Sequence, residues 1–400
     1  MRSTRLKKHK DYTLCWSYDL ADLSESWEAL EYGNNIFLTE DFLAAIESSP
    51  PVGSRAVYSV ILRGDRPIAR IYSQLVEVDM IQSLSIDDDP DAGWFKQTYI
   101  RFRRGLSRRL HGVLLSFGHL LLSGERGIEF ADGLDSHAET LLIQDAAIRL
   151  HQQVNKDQNV IVVLVKDMKP KHEFLERNPL SCQFSDLKIP EVMALDLRDQ
   201  WSSFDDYLAD YKSKYRVRVR KAFKRSEEIS IRPLSVEQLR THESAIYGFY
   251  KNIAGQAGFN LCQLRPDYFT AMKETLGDRF RVYGLYEKDE LAGFYSSILG
   301  FKTLEAHYLG YDLDKNRQYD LYLTILLKLI EEGIAEGVDD VFFARTAQEI
   351  KSSVGAKPVA FHNYLRHRQI LPNQFIPLFL KNLVPDESYQ LRSPFKETTL

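Results

Sequence analysis

The sequence predicts an α/β (α+β) protein with two halves of similar design. Runs of alternating apolar and polar residues recur along the 400 residues, and amphipathic runs with helical spacing lie between them. One order of elements, hairpin, strand, loop, helix and strand, occurs twice. Because no clear sequence identity accompanies this order, the pattern of elements alone indicates a duplication, with a junction near Asp199.

The composition is that of a folded protein with substantial cores. Its 400 residues predict two or three domains, and 44% hydrophobic and 12% aromatic residues are enough to build their cores. The formal net charge of −4 argues against a general nucleic-acid-binding protein, although basic residues concentrate in three patches.

The three cysteines, Cys15, Cys182 and Cys262, are widely spaced, so they support neither a disulfide framework nor a CxxC zinc site. We therefore expect a reducing, cytoplasmic location. The basic N-terminus is not followed by the apolar segment of a secretory signal. The longest apolar run, Val113–Leu122, is far shorter than the roughly 20 residues that span a bilayer, so we expect no membrane span.

In the first half, a basic tail and short helices precede a change to two-residue periodicity. A turn at Gly64 and Asp65 joins two alternating runs into a predicted hairpin, since both residue types accept the positive φ of tight turns. The predicted elements are helices at Leu23–Tyr32 and Thr39–Ile46, hairpin strands at Ala56–Leu62 and Pro67–Val78, a strand at Val113–Leu122, a helix at Ser136–Val154 capped by Ser136, and a strand at Asn159–Val165. An acidic run, Asp87–Asp91, and a basic segment, Arg101–Arg109, interrupt this half. Adjacent carboxylates before a proline are typical of a solvated loop, so we assign them no chemistry.

The second half begins with a predicted helix at Phe204–Glu228. Within it, residues 212–225 carry eight cations and no anion, with aromatic residues interleaved. Such a helix repels itself unless an anion lies against it, and the candidates are an acidic patch of the protein, a polyphosphate ligand or RNA. An ordinary solvated face is the alternative. We take Lys214, Arg216 and Arg220 as candidate contacts to substrate or nucleic acid.

A hairpin, a strand, a polar loop and a helix follow. The predicted bounds are Phe280–Tyr286 and Leu291–Leu299 for the hairpin, Leu304–Tyr311 for the strand, Asp312–Tyr319 for the loop, Asp320 to the stop signal Gly337 for the helix, and Val341–Ala344 for the next strand, before a short basic helix and a final strand. Unpaired N–H groups at the start of a helix favour an anion, so the loop predicts a phosphate or pyrophosphate contact, with a solvated connection as the alternative. The candidate contacts are Lys315, Asn316, Arg317 and Lys351.

Four segments carry a resemblance to a known family: YKSKYRVRVRKAFKR, VYGLYEKDELAGFYSSIL, FFARTAQEIKSSVGAKPVAFHNYLRHR and LSFGHLLLSGERGIEF. Across about residues 40–370 the chain resembles GNAT-superfamily acyltransferases of the FemAB-like, peptidoglycan-biosynthesis-related type. The resemblance implies two GNAT-like domains, each a mixed twisted sheet flanked by helices. The implied bounds are 1–35 for a basic tail and first helix, 36–199 and 200–370 for the two domains, and 371–400 for a C-terminal tail.

The resemblance also implies the reaction. Relatives that use acetyl-CoA carry a glycine-containing Q/R-x-x-G-x-G/A loop, whereas the corresponding DLDKNRQYD has no glycine. FemAB-like enzymes pass an amino acid from aminoacyl-tRNA to a peptide amine. We therefore expect an N-acyltransferase that takes an acyl or aminoacyl group from acyl-CoA or aminoacyl-tRNA to an amine, with cell-envelope precursors as candidate acceptors. A non-catalytic GNAT-like protein that binds a nucleotide-linked or peptide ligand is the alternative, and the net charge disfavours a pure RNA-binding module.

Acyl transfer to an amine requires a neutral amine, a polarised carbonyl and a proton donor for the leaving group. Glu305 and His307 precede the donor loop and could hold or deprotonate the acceptor, Arg345 follows a strand end and could bind a carboxylate or phosphate, and Tyr364 could donate a proton. Structural roles are the alternative for each of them. Two histidines on the last strand are expected on opposite faces, so we predict no metal.

Overall fold

The computed structural model describes residues 1–7, 9–30, 35–79, 111–171, 184–255, 262–370, 373 and 389–396. The predicted acidic run Asp87–Asp91 and basic segment Arg101–Arg109 lie outside these residues. Within them, no helix is both long enough and apolar enough to cross a membrane.

The first half of the chain consists mostly of strands. Its elements are β1 (Arg2–Arg5), β2 (Tyr12–Ser17), α1 (Ser24–Glu28), α2 (Glu40–Ser48), β3 (Ser54–Arg63), β4 (Arg66–Asp79), β5 (His111–Phe117), β6 (Ile128–Phe130), α3 (Ser136–Val154), β7 (Val160–Met168), β8 (Ser185–Asp186) and β9 (Val192–Asp196). The helix predicted at Ser136–Val154 is confirmed, but its cap is Asp135, whose carboxylate accepts from the backbone N–H of Ala138.

The second half adds most of the helices. Its elements are α4 (Phe204–Ala209), α5 (Ser213–Arg225), β10 (Ile229–Pro233), α6 (Val236–Ala254), α7 (Tyr268–Leu276), β11 (Phe280–Glu287), β12 (Glu290–Leu299), β13 (Thr303–Tyr311), α8 (Leu313–Tyr319), α9 (Leu321–Glu336), β14 (Asp340–Phe342), α10 (Gln348–Ser353), β15 (Lys357–Val359) and β16 (His362–His367). Helix α9 ends at Gly337, whose φ of +66° fits the predicted stop signal.

The strands form two mixed sheets. The first has the order β1-β2-β3-β4-β5-β7-β16-β8 with β6 paired to β4, and the second has the order β10-β11-β12-β13-β14-β9-β15. Among the described strands, each sheet contains one parallel pair, β5 with β7 and β13 with β14, whose strands are joined through helices. The repeated order of elements and the predicted fold class are therefore confirmed.

Each sheet includes a strand from the other half of the chain. Strand β9 precedes the predicted junction at Asp199 but lies between β14 and β15 of the second sheet. Strand β16, near the end of the second half, pairs with β7 and β8 of the first sheet. The exchange ties the halves together through backbone hydrogen bonds. The domain bounds 36–199 and 200–370 stay predictions.

A shared hydrophobic core lies where the halves meet. Helix α2 packs against α7, and the core cluster around them draws on both halves. Its large members include Phe37, Phe42 and Ile46 from the first half and Tyr250, Phe269 and Phe294 from the second. Burial of these side chains favours association of the halves.

Two predicted elements are wrong. The helix predicted at Phe204–Glu228 is two helices, because Tyr211 forms a β-bridge with Phe395 and the backbone N–H of Lys212 donates to the Pro394 carbonyl at 2.8 Å. The loop predicted at Asp312–Tyr319 is mostly helix α8, which Asp312 caps by accepting from the backbone N–H groups of residues 314 and 315.

Candidate functional site

Helix α5 presents a row of cations beside its buried face. Tyr215, Val219 and Ala222 are its buried residues. The row has spacings of four, three and four residues, which place its members on one stripe of the helix. Its members are Lys214, Arg218, Lys221 and Arg225, all of them exposed.

The row borders a cavity of about 450 Å³ between α5 and the junction of α8 with α9. Cationic side chains from α5 and from α8 surround this space. Its lining consists of Arg218, Lys221, Arg225, Tyr311, Asn316, Arg317, Asp320, Tyr322, Leu323 and Ile350. Among the described residues, four cationic side chains thus line the cavity against one carboxylate.

The start of α9 borders this cavity and is capped by a side chain from α8 rather than by its own N-cap residue. Asp320, at the N-cap position, has a φ of +52° and accepts no capping hydrogen bond from the helix. Its carboxylate instead accepts from Arg225 at 2.7 Å, while Asn316 accepts from the backbone N–H of Tyr322 at 2.9 Å. Since Tyr322 and Leu323 line the cavity, the positive end of the α9 dipole faces it.

Two of the four cations that line the cavity have no carboxylate partner among the described residues. In the part of the chain that the structure describes, Arg225 is the member of the α5 row that pairs with a carboxylate, and Arg218 and Lys221 have no such partner. Arg317 pairs with Asp314 at 3.1 Å on the exposed surface. Unpaired guanidinium and ammonium groups at a helix N-terminus suit a phosphate or other anion.

A smaller cavity of about 290 Å³ adjoins the first and shares Arg218 and Ile350 with it. Its other lining residues in the described part of the chain are Ala347 and Glu349. Ala347 belongs to the loop between β14 and α10 and has a φ of +58°. Ala344, in the same loop, has a φ of +57°. Left-handed conformations at alanine are strained and often mark functional segments.

Both cavities lie beyond the carboxyl ends of the parallel pair in the second sheet. Strands β13 and β14 pair over three residues, Thr303–Glu305 with Asp340–Phe342. Strand β13 then continues to Tyr311 at the larger cavity, whereas β14 leads into the loop before α10. Ligands in α/β proteins commonly bind where parallel strands end.

The predicted donor contacts are divided between the cavity and the interior. Asn316 and Arg317 line the larger cavity. Lys315 instead bonds to the Glu287 carboxylate, which raises the pKa of the lysine. Lys351 is buried and donates to the Phe343 carbonyl, and burial lowers its pKa to about 7.

The three contacts predicted on the basic helix, Lys214, Arg216 and Arg220, also have different surroundings in the structure. Lys214 belongs to the row, one turn before the cavity, and Arg220 is exposed on another face. Arg216 donates to the carbonyls of Ala209 and Tyr211, at 3.0 and 2.9 Å, and so holds the joint between α4 and α5. Sequence reasoning did not single out Arg218, Lys221 and Arg225. Their four- and three-residue spacing beside an apolar stripe is the signal that identifies them.

Two of the predicted catalytic residues connect the halves of the chain. Arg345 pairs with Asp167 and donates to Ser123 Oγ at 3.0 Å, both in the first half. Glu305 is 2% exposed and accepts from Arg126 Nη2 at 3.2 Å. Burial raises the pKa of the Glu305 carboxyl to about 7, against the effect of Arg126.

The other two predicted catalytic residues lie elsewhere, His307 partly buried and Tyr364 buried. His307 Nε2 lies 2.7 Å from the Tyr268 hydroxyl, and burial lowers the pKa of this imidazole to about 3, so it is neutral. Tyr364 is buried in β16, within the first sheet. The structure does not bring the four candidates together, and none of them lines either cavity. Within the described residues, no cluster of three or more histidine, cysteine or carboxylate groups could hold a metal ion.

No family model matches the chain, and no curated protein matches it. Several solved structures are similar. FemX is 10% identical, with 96% of this chain and 100% of that chain covered and a TM-score of 0.49. A tandem GNAT protein from the clavulanic acid biosynthesis pathway is 11% identical, with 88% and 98% covered and a TM-score of 0.47. A GCN5-related N-acetyltransferase from Kribbella flavida is 8% identical, with 88% and 71% covered and a TM-score of 0.40. GNAT proteins and FemX, the kinds of protein that the sequence resembles, are thus among the similar structures, and the likeness is one of fold.

Proposed function

We propose that the protein is an N-acyltransferase that binds a phosphate-bearing activated donor in the larger cavity and passes its acyl or aminoacyl group to an amine. The observation that carries this proposal is the lining of that cavity. Arg218 and Lys221 line it without carboxylate partners among the described residues, and Tyr322 and Leu323, in the first turn of α9, line it as well. Acyl-CoA and aminoacyl-tRNA both supply the phosphates that this lining suits.

The divergence of β13 from β14 supports a transfer reaction. Residues 306–311 of β13 extend past the end of β14, so the edge that faces β14 has no strand partner there among the described residues. Backbone N–H and C=O groups on such an edge can bind an extended chain. A donor with its phosphates at the cavity and its acyl arm along this edge would present a carbonyl to an amine. Such positioning is the main requirement of acyl transfer.

The length of the cationic row bears on the choice of donor. Lys214 and Arg225 are eleven residues apart, which corresponds to about 16 Å along the helix. The larger cavity, of about 450 Å³, is lined by Arg218, Lys221 and Arg225 of the row, and the row continues one turn beyond it to Lys214. A nucleotide thioester would contact Arg218 and Lys221, whereas a charged RNA would also contact Lys214 and would bind with a steep dependence on salt.

The test compares donors and variants of one helix. Radiolabelled acetyl-CoA, longer acyl-CoAs and charged tRNA are offered separately with a mixture of amines that includes UDP-sugar peptides. The double variant Arg218→Ala, Lys221→Ala is expected to weaken donor binding about tenfold or more for each lost contact. The matched control, Arg220→Ala with Lys224→Ala, removes two exposed cations of α5 that do not line the cavity.

Product formation that depends on Arg218 and Lys221 but not on the control pair would support the proposal. Equal effects of the two double variants would overturn the assignment of the cavity. If Lys214→Ala weakens charged tRNA but not acyl-CoA, the donor class is RNA.

A binding protein without turnover is the second candidate. It is favoured by one observation, namely that none of the four predicted catalytic residues, Arg345, Glu305, His307 and Tyr364, lines either cavity. It predicts a thermal shift with CoA thioesters or UDP-sugar peptides and no transfer to any amine. Product from any donor would exclude it.

A further inference from the structure

Residues 389–396, here called the C-terminal clasp, pack across the joint between α4 and α5. The ring of Phe395 lies against three aromatic side chains, with centroid distances of 5.2 Å to Trp201, 5.9 Å to Tyr207 and 5.3 Å to Tyr211. Gly355 forms another wall of this site, since a Cβ at that position would come within 2.3 Å of the ring. The close fit fixes the position of Phe395.

Backbone hydrogen bonds hold the clasp to the same joint. The N–H of Lys212 donates to the Pro394 carbonyl at 2.8 Å, and the N–H of Lys396 donates to the Asp210 carbonyl at 2.9 Å. The ammonium group of Lys396 donates to the carbonyl of Ala209 at 2.8 Å, at the end of α4. The clasp therefore determines where α5 begins and how it leaves α4.

The other end of the clasp is tied to α10. The backbone N–H of Arg392 donates to Ser352 Oγ at 2.9 Å, and the Arg392 guanidinium forms an ion pair with Glu349. Glu349 lines the smaller cavity together with Arg218 of α5. One short segment thus contacts α10 and the start of α5, two helices that both contribute residues to the lining of the smaller cavity.

We propose that the clasp regulates anion affinity at the candidate donor site, by holding α5 against α10 and by occupying the carboxylate of Glu349. This inference rests on the proposed function. With Arg392 in place, Glu349 already has a cationic partner and Arg218 stays available to a phosphate. Without Arg392, Glu349 is free to pair with Arg218 across the smaller cavity, which would remove a cation from the site.

The experiment measures the binding of inorganic pyrophosphate to the full-length protein by calorimetry. Arg392→Ala and Phe395→Ala are each expected to weaken pyrophosphate binding about five- to tenfold. The matched control, Ser393→Ala, alters an exposed residue of the same segment and is expected to change affinity less than twofold. The double variant Arg392→Ala, Glu349→Gln should recover the affinity of the unaltered protein, since no carboxylate then competes for Arg218.

Recovery in the double variant supports the clasp, because a merely structural loss at Arg392 would not be reversed at Glu349. Unchanged binding in Arg392→Ala and Phe395→Ala overturns it and leaves the proposed function intact. If the unaltered protein binds no pyrophosphate, the proposed donor site is wrong. Hydrogen exchange then tests separately whether the clasp holds the start of α5 in place. Faster exchange of the amides of residues 211–216 in Phe395→Ala relative to Ser393→Ala supports its hold on α5, and equal exchange overturns it. If Phe395→Ala does not fold, the Arg392 and Glu349 variants decide the question.

Discussion

Replacement of Glu305 by glutamine should change how stability depends on pH. Glu305 lies on β13 and pairs at 3.2 Å with Arg126, whose guanidinium sits between the rings of Phe37 and Phe342 at 4.9 and 4.6 Å. Burial raises the pKa of this carboxyl to about 7, and the nearby Asp340 carboxylate adds to the rise, whereas Arg126 and Lys166 oppose it. The folded state therefore favours the protonated carboxyl.

The sign and size follow from linkage. The pKa in the folded protein lies above the unfolded value of 4.5, so the contribution of the protonated form is complete below pH 4.5 and is lost as pH rises through 7. A rise from 4.5 to about 7 corresponds to about 3 kcal/mol of unfolding free energy. Glutamine resembles the protonated carboxyl and cannot ionise. The Glu305→Gln variant should exceed the unaltered protein in stability by less than about 1 kcal/mol near pH 5 and by up to about 3 kcal/mol near pH 8.

Urea unfolding at intervals from pH 5 to pH 8 measures this difference directly. The control is Glu290→Gln, an exposed carboxylate on β12, whose stability curve should run parallel to that of the unaltered protein. Parallel curves for Glu305→Gln as well would refute the reasoning, because they would mean that Glu305 ionises normally in the folded state. The same variant tests the predicted catalytic role, since loss of turnover with intact folding would support it.

Further predictions concern glycine packing and thiol accessibility. Gly310→Ala would place a Cβ 2.4 Å from the carbonyl carbon of Phe249 in α6, so it should lower the unfolding free energy by about 2 kcal/mol in urea titrations. Gly248→Ala, on the same helix, adds a Cβ that meets no atom within 4 Å beyond its own helix backbone and chain neighbours, so it should raise the unfolding free energy by about 0.5 to 1 kcal/mol. Equal effects of both changes would contradict the packing of α6 on β13. Cys15 and Cys262 are buried, and burial raises the pKa of both thiols. A Cys182→Ser variant should therefore react with a chromogenic thiol reagent, followed by absorbance, only when the protein unfolds. Rapid labelling of the folded protein would contradict the burial of the two thiols.

Local sequence patterns predicted the helices and strands that are determined by residues close together in the chain. The hairpin β11–β12 and helix α9 follow from alternation, from three- and four-residue spacing and from Gly337 as a stop signal. Helix α8 was missed because its short polar sequence carries no apolar stripe. Its cap is Asp312, and its buried Tyr319 bonds to Glu287 on β11, a partner that spacing along the chain does not reveal.

The surroundings of the candidate catalytic residues depend on contacts between the halves. Glu305 meets Arg126 and Arg345 meets Asp167, pairs that are 179 and 178 residues apart in sequence. Pairing at such separation depends on the packing of two sheets, and a single sequence gives no signal for it. The cationic row of α5 is different, since its spacing and the apolar stripe beside it are both present in the sequence.

The strand exchange leads to a last prediction, about the domain bounds themselves. A fragment of residues 200–370 would lack β9, which separates β14 from β15 and pairs Leu195 with Val341 and Met193 with Pro358. It would also leave β16 without β7 and β8, and α5 without the C-terminal clasp. Unpaired strand edges and lost core contacts favour aggregation, so this fragment should show no cooperative urea transition, whereas the full chain should show one. The comparison is read by circular dichroism and light scattering on both proteins. A soluble fragment 200–370 that unfolds cooperatively would mean that the second half folds without the exchanged strand, and that its sheet can close β14 against β15.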